Sequence, residues 1–327
     1  MIQHGYLGVQ LFFVISGYCI TAALYGAVRK PKALSYFMLR RLRRIFPPYW
    51  ASIVLVIALG MLTILVLKTP QAVVFPLTAF DWLCNLFLLQ GPLHAKDANL
   101  VYWSLSIEVQ FYVVMAMALL NSRWTEAWLV FVSGLFLMVD HLTAWPLWGT
   151  VIVYWPEFLC GIAAYYRLTG KARWKWSPAV LVGFVLLDIV MQWGQYETLT
   201  LANGRFIQPV KLLFCLACML VMVSLRRSDK VICSRRPIRL LGWFGLISYS
   251  LYLTHVPVGT RLFNLTDRVI GLSGLRWLAV LPVAAAVSTV FAWLFFHWFE
   301  SPWLNASSRK SPEFSMAVPP VHESVAS

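Results

Sequence analysis

The chain has 327 residues, of which 60% are hydrophobic and only 12% carry a charge. Soluble globular domains average about 45–50% apolar and about 25% charged residues, so the composition excludes an ordinary soluble globule. The net charge of +14 comes mostly from short segments between apolar runs, a distribution that positive-inside membrane topology explains. No nucleic-acid partner is therefore predicted.

Apolar runs of about 20 residues recur along the chain, which is the length that an α-helix needs to cross a bilayer. Because hydrocarbon leaves no backbone polar group hydrated, the predicted fold class is all-α, a polytopic membrane helix bundle. Nine transmembrane helices are predicted, near residues 6–28, 47–67, 102–120, 125–141, 147–167, 177–194, 208–225, 240–260 and 276–299. The apolar run at residues 80–90 is about eleven residues long, too short to span, and is predicted to be re-entrant or interfacial.

Loop charge supports this count of crossings. With nine crossings the basic loops at residues 29–44, 167–175 and 226–239 all fall on one side, which the positive-inside rule assigns to the cytoplasm. The chain is thus predicted to be a multi-pass protein of the cell inner (plasma) membrane with a cytoplasmic C-terminus. Residues 1–304 form the predicted membrane domain, and the polar segment 305–327 is predicted to be a disordered cytoplasmic tail.

The strongest polar constellation is a cluster of arginines, Arg40, Arg41, Arg43 and Arg44, at the predicted cytoplasmic surface. Guanidinium groups bind phosphates bidentately and keep their charge at physiological pH, so the cluster indicates a phosphate-binding site. The alternative is a topology anchor against anionic lipid headgroups. Pro47 and Pro48 are predicted to start the next crossing, with Tyr49 at interfacial depth.

Two ionisable residues inside predicted spans are the candidate catalytic groups, Glu108 and His255. Intramembrane ionisable residues are costly and mark function by default. Each is predicted to lie roughly 7–9 Å below the outer end of its helix, opposite the arginines, where the two could act as an acid/base pair. The alternatives are a structural hydrogen bond for Glu108 and a bond to a backbone carbonyl for His255.

The other polar residues carry weaker signals. Glu157 beside Pro156 fits structure and function equally well, and Asp188 is predicted to be structural. Glu300 is explained by snorkelling or capping at the cytoplasmic end of the last span. His94, His141 and His322 are placed in loops or the tail, and no metal-ligand spacing is present, so no metal is predicted. Cys215 and Cys218 lie in an apolar run and are interpreted as small hydrophobic residues.

Five motifs in order resemble the acyltransferase family 3 of integral membrane proteins, which includes bacterial O-antigen and other polysaccharide O-acetyltransferases. The motifs are GVQLFFVISG at residues 8–17, RRLRRIFPPY at 40–49, WSLSIEVQFY at 103–112, SYSLYLTH at 248–255 and FESP at 299–302. The resemblance covers nearly the whole chain. Gln10 stands where the family often has aspartate.

The resemblance implies ten helices and transfer of an acyl group, usually acetyl, from acyl-CoA to a hydroxyl of an extracytoplasmic or lipid-linked glycan. It places the donor at the Arg-x-x-Arg pair Arg41 and Arg44, and the candidate donor-binding set is Arg40, Arg41, Arg44 and Tyr49. Glu108 and His255 match positions common in the family. The predicted partners are therefore membrane lipids, acyl-CoA and a glycan or glycolipid acceptor.

The family also places a basic residue and a histidine, thought catalytic, on a helix before the first motif. His4 does not match that histidine, because it lies too close to Gly8, so the chain is expected to lack the family's first transmembrane helix. Two alternatives to the acyltransferase stay open. One is a catalytically inactive, truncated membrane protein, and the other is a small-molecule transporter that uses the intramembrane ionisable residues as a polar pathway.

Overall fold

The computed structural model describes residues 7–67, 78–143, 147–196, 207–226, 236–270 and 276–304, and in these ranges it is helical with no strand. The helices are α1 (Leu7–Ala27), α2 (Ala33–Leu67), α3 (Ala79–Leu86), α4 (Tyr102–Met117), α5 (Thr125–Leu142), α6 (Val151–Thr169), α7 (Ser177–Tyr196), α8 (Ile207–Leu225), α9 (Arg236–Ile270) and α10 (Arg276–Phe295). The all-helical prediction is confirmed for these residues, and each predicted crossing coincides with a helix. The predicted tail at 305–327 lies outside the described residues.

Four stretches of the described residues are long and apolar enough to cross a membrane. They are Leu7–Ala27, Ala33–Leu65, Tyr102–Leu142 and Val280–Trp303. The third contains both α4 and α5, which join through a 3₁₀ segment at Ala118–Trp124, where Asn121 leaves the helical region of backbone angles. The chain is a helical membrane protein, and the total of nine crossings stays a prediction.

The largest difference from the sequence prediction concerns α2. The proline pair does not start this helix: α2 begins at Ala33, and Pro47 and Pro48 lie inside it. Neither proline has an amide hydrogen for the helical ladder, but neighbouring packing lets membrane helices tolerate such gaps. The arginines therefore lie on a helix and not in a loop, and their spacing of three or four residues places several of them on one side of it.

By their contacts the described residues divide into two compact units, one within residues 1–46 and 53–226 and the other within residues 47–52 and 227–304. In the first unit, α1 and α6 cross at a pair of glycines. A Cβ atom on Gly161 would lie 2.0 Å from the Val14 carbonyl oxygen, and one on Gly17 would lie 2.3 Å from that of Phe158. No side chain fits at either position, so the glycines permit a close backbone contact of the kind common between membrane helices.

Aromatic side chains fill the space beside this crossing. The rings of Phe111 and Phe158 stack with centroids 4.0 Å apart, and Phe13 packs on Phe158 at 4.9 Å. Trp155 packs on Phe111 at 5.5 Å and donates its indole N–H to the Ser133 hydroxyl. This core fixes α1, α4 and α6 against one another and so holds the polar residues of α1 and α4 in place.

Candidate active site

Arg41 differs from the other arginines in its position on α2. Phe37 and Ile45, one helical turn before and after it, are 2% and 3% exposed. Arg41 occupies the same stripe and is half-buried, whereas Arg40 and Arg44 are exposed. Because residues four apart lie on one face of a helix, the buried stripe of α2 directs the Arg41 side chain into the first unit.

The Arg41 guanidinium lies among aromatic rings. Its Cζ atom is 5.9 Å from the ring centroid of Phe37 and 6.0 Å from that of Tyr112 on α4. One of its nitrogens donates a long hydrogen bond of 3.5 Å to the Cys19 carbonyl oxygen on α1. Cation–π contacts of this length orient a guanidinium without using all of its donors. Arg41 thus retains hydrogen-bonding capacity for an anionic ligand.

Glu108 is buried next to this cation. Its Oε1 atom accepts hydrogen bonds from the Tyr112 hydroxyl at 2.8 Å and from the Ser16 hydroxyl on α1 at 3.3 Å. Arg41 and Arg44 are close enough to act on its carboxyl group electrostatically. Among the described residues no hydrogen bond reaches the second carboxylate oxygen, Oε2. One oxygen is therefore held in place while the other is able to accept a proton.

The predicted separation between Glu108 and the arginines is wrong for Arg44 and Arg41, since both act electrostatically on its carboxyl group and Arg41 also contacts the Tyr112 side chain that binds Glu108. The Tyr112 side chain bridges the two groups, with its hydroxyl bonded to Glu108 and its ring facing the guanidinium. Two physical reasons account for the difference. The helical start of α2 at Ala33 places Arg41 within a helix, and a long arginine side chain extends several ångströms from its backbone.

The other predicted donor-site residues have different surroundings. Arg40 donates a hydrogen bond of 2.5 Å to the Tyr36 hydroxyl and stacks on the same ring, a local pair on the exposed face of α2. Arg44 is exposed. Tyr49 has no exposed surface, and its carbonyl oxygen accepts a bond from Ser52. The structure brings Arg41 to Glu108, and the donor-binding roles of Arg40, Arg44 and Tyr49 stay predictions.

His255 lies on α9 in the second unit and is half-buried. Its Nδ1 atom is 3.0 Å from the Leu251 carbonyl oxygen and 2.9 Å from that of Tyr252. Carbonyl oxygens only accept hydrogen bonds, so Nδ1 is the donor, and in the uncharged form of the ring Nε2 is the nitrogen with the lone pair. The backbone contact considered as an alternative for His255 is therefore present, and it also fixes the tautomer that a general base needs.

Glu300 does not extend to the surface, contrary to what its position near the end of the last span predicts. It is 2% exposed, and its Oε2 atom accepts a hydrogen bond of 2.5 Å from the Ser250 hydroxyl on α9. A five-residue π-helix, Phe296–Glu300, presents it there. Such bulges redirect side chains within a helix, and sequence periodicity does not reveal them. Glu300 is a buried partner of Ser250 in the second unit.

Ser16 and Tyr112 are the two site residues that sequence reasoning did not single out. Both lie in the motifs at residues 8–17 and 103–112, but hydroxyl groups in apolar helices are common and give no signal on their own. Tyr112 is four residues after Glu108, the spacing that places two side chains on one helix face. The sequence alone could therefore have indicated this contact. The contact of Ser16 with Glu108 depends on the packing of α1 against α4, so no local sequence pattern predicts it.

The fold and this site define a polytopic helical membrane protein in which a buried carboxylate and an inward-facing arginine share one cluster. Residues 2–297 match the model of the family described as Acyltransferase domain, so the chain belongs to this acyltransferase family. It is similar to the Listeria monocytogenes protein named Peptidoglycan O-acetyltransferase OatA, with 28% identity over 348 residues, covering 91% of this chain and 51% of that protein.

A second relative gives the same picture. The Bacillus subtilis protein named Putative peptidoglycan O-acetyltransferase YrhL is 26% identical over 336 residues, covering 91% of this chain and 50% of that protein. This chain thus spans about half the length of both relatives. No solved structure matches it. The family match confirms the resemblance stated from the five motifs.

Proposed function

We propose that the chain is a membrane O-acyltransferase that moves an acyl group, acetyl in the first instance, from acyl-CoA to a hydroxyl of a glycan. The observation that carries the proposal is the contact series from Arg41 through the Tyr112 side chain to Glu108. It joins a phosphate-binding type of group to a group able to move a proton. The family match and the names of the relatives support the reaction type.

In this proposal Arg41 and Arg44 bind phosphate groups of the donor. Guanidinium–phosphate bonds are charge-assisted and strong, and Arg41 is already oriented by two aromatic rings. Arg40 and Tyr49 are secondary donor-binding candidates. Acyl-CoA acts as donor substrate, and the glycan or glycolipid acceptor and membrane lipids complete the set of partners.

Transfer requires one proton to leave the acceptor and one to reach the leaving group. The acceptor hydroxyl oxygen attacks the thioester carbonyl carbon while its proton passes to a base, and the carbon–sulfur bond then breaks as the coenzyme A thiolate is protonated. Glu108 is the proposed base because Oε2 has no hydrogen bond among the described residues. His255, with the lone pair of Nε2, is the second proposed base.

The experiment supplies the purified chain with acetyl-CoA labelled in the acetyl group and with a glycan acceptor. Labelled acyl ester on the glycan, released by mild base, is the expected product. Mass spectrometry of surface glycans from cells with and without the gene identifies the acceptor. Absence of both acetyl-CoA binding and labelled ester would contradict the donor, whereas binding without ester would contradict the reaction and leave a binding protein.

We also propose that the protein resides in the inner (plasma) membrane with its basic loops and C-terminus in the cytoplasm. The support is the one-sided distribution of lysine and arginine between the helices. A reporter fused after residue 327 that is active only in the cytoplasm tests this orientation. Activity of a reporter that works only outside the cytoplasm would reverse it.

A further inference from the structure

A second cluster of ionisable side chains lies away from Glu108, between α5 and α7. Asp140 and His141 are at the end of α5, and Asp188 lies within α7. The His141 Nε2 atom is 2.7 Å from Asp188 Oδ1, and the two side chains are only 4% and 2% exposed. One nitrogen or oxygen atom from each of the three residues lies within 4.8 Å of the other two.

A small cavity adjoins the cluster. It measures about 10 Å³, and both aspartates line it together with Ser133, Trp155 and Pro156. A space of this size holds roughly one water molecule or one ion and excludes an organic ligand. Its walls are otherwise mostly apolar, so the two carboxylates provide its charge.

A neighbouring amide supplies a further oxygen. Gln192, one turn after Asp188 on α7, donates from Nε2 to Asp188 Oδ1 at 3.0 Å, while its Oε1 atom is buried and has no hydrogen-bond partner among the described residues. Rotating the amide by half a turn exchanges the two atoms. Oε1 would then lie beside Asp188 Oδ1, where a cation between the two oxygens would coordinate both in place of the present N–H donation.

The ionisable groups around the cluster are mostly acidic, which favours a bound cation. Glu157 on α6 is 1% exposed and lies within electrostatic range of Asp140 and Asp188. Lys211 of α8 is the cation that acts on Glu157. Three carboxylates thus face one lysine and one imidazole. A buried carboxylate is costly unless a cation compensates its charge or it takes up a proton. A divalent ion with neutral His141 would balance Asp140 and Asp188, and Lys211 would balance Glu157.

We propose that Asp140, His141 and Asp188 bind one divalent transition-metal ion, with Zn²⁺ as the first choice, which connects α5 to α7. Imidazole and carboxylate together suit Zn²⁺, and three protein ligands beside a small cavity leave a position for water or the Gln192 oxygen. Ligand atoms about 2.1 Å from a tetrahedral ion are roughly 3.4 Å apart. The His141–Asp188 contact therefore has to open by several tenths of an ångström on binding.

Sequence spacing does not reveal this site. Two ligands are adjacent in the chain and the third follows 47 residues later, and no zinc motif has that pattern. Adjacent residues on a helix point about 100° apart, so both reach one ion only because α7 packs beside the end of α5. The predicted absence of metal rested on spacing alone.

The test uses the purified full chain in detergent, stripped of metal with a chelator and titrated with Zn²⁺ by calorimetry. We expect one ion per chain by elemental analysis and a higher melting temperature with Zn²⁺ than without. Asp188→Asn and His141→Ala should each lower Zn²⁺ affinity by roughly 100-fold or more. His94→Asn is the matched control, because it removes another histidine and tolerates the positive φ of 52° at that position.

Each outcome decides the proposal. Stoichiometric binding of Zn²⁺ or Mn²⁺ that is lost in the two ligand variants and kept in the control supports it. No stoichiometric binding, or binding that persists in both ligand variants, overturns it. If Asp188→Asn does not fold, Asp140→Asn replaces it. Lower melting temperatures for the variants with no effect of metal on the unmodified chain would identify a structural His141–Asp188 pair and overturn the metal site.

Discussion

Two buried glutamates in the first unit have opposite surroundings. Glu126, at the start of α5, uses both carboxylate oxygens: Oε1 accepts the Arg173 amide, and Oε2 accepts the Trp174 amide at 3.0 Å and the Ser177 hydroxyl. Glu108 accepts only two side-chain hydroxyls, both on Oε1. Both residues are almost fully buried, with 6% and 7% of their surface exposed.

The nature of the donors separates the two roles. Backbone amides are fixed in place, and those bonded to Glu126 precede α7, where a negative charge also complements the helix dipole. Hydroxyl donors rotate, and a second free oxygen and a nearby guanidinium leave Glu108 able to exchange partners. The comparison supports a structural role for Glu126 and is the basis for the catalytic role that we propose for Glu108.

Glu108→Gln is expected to have the largest effect on activity. The amide keeps the shape and accepts the Tyr112 hydroxyl, but it does not accept a proton. General-base catalysis contributes about 10²- to 10⁴-fold, so transfer of labelled acetyl should fall by that factor with little change in melting temperature. Unchanged activity would assign Glu108 a structural role and leave His255 as the proposed base.

Arg41→Ala tests the inward-facing arginine against an exposed one, with Arg43→Ala as the matched control, because Arg43 is not among the proposed donor-binding residues. Loss of charge-assisted bonds worth about 1.5–3 kcal/mol should weaken acetyl-CoA binding by roughly 10- to 100-fold. Arg43→Ala removes an equal charge from an exposed position on α2 and should change binding by less than about threefold. Equal losses in the two variants would indicate a general electrostatic effect and contradict a specific Arg41 site.

Glu126→Gln tests the other half of the comparison. The substitution replaces one carboxylate oxygen of Glu126, which accepts a hydrogen bond, with an NH₂ group. That NH₂ group and the former hydrogen-bond donor are then two donors that face each other. We expect a loss of about 1–3 kcal/mol of stability, measured as a lower melting temperature, and wild-type transfer rates per folded molecule. A transfer rate that falls while the melting temperature stays constant would contradict the structural role.

The smallest expected effect concerns Asp81 at the start of α3, which like Glu126 accepts hydrogen bonds from backbone amides. The amide of Lys96 and the hydroxyl of Thr78 lower the pKa of Asp81 below its ordinary value of 3.8. A folded-state pKa below the unfolded value stabilises the loop above pH 4, and this stability is lost as the pH falls through the folded-state pKa. Limited proteolysis between residues 87 and 101 should therefore increase only below about pH 4.

Asp81→Asn separates this effect from general acid unfolding. The variant should be cleaved faster than the unmodified chain at neutral pH, and the difference should shrink as the pH falls. Equal cleavage of both chains at pH 7 would show that the bond between Asp81 and the Lys96 amide does not hold the loop.

Part of the site could be predicted because it depends on local patterns. Each of the nine apolar runs predicted to cross the membrane coincides with a helix in the described residues. Glu108 stood out because it is a charged residue within such a run. The four-residue spacing of Phe37, Arg41 and Ile45 also indicates that these side chains share the buried face of α2. It was missed because the proline pair was interpreted as a helix start, although proline also occurs inside membrane helices.

By itself, the sequence determined the helical membrane class, the arginine cluster and the candidate acid and base, because hydropathy, charge and motif order are properties of neighbouring residues. The helix packing is needed to show that the Arg41 guanidinium lies beside the Tyr112 ring, that Ser16 and Tyr112 share one oxygen of Glu108, and that His141 contacts Asp188. These contacts join residues 47 to 92 positions apart, except for the single helical turn that links Tyr112 to Glu108. They depend on helix packing, which two glycines at the α1–α6 crossing make possible and which no local pattern specifies.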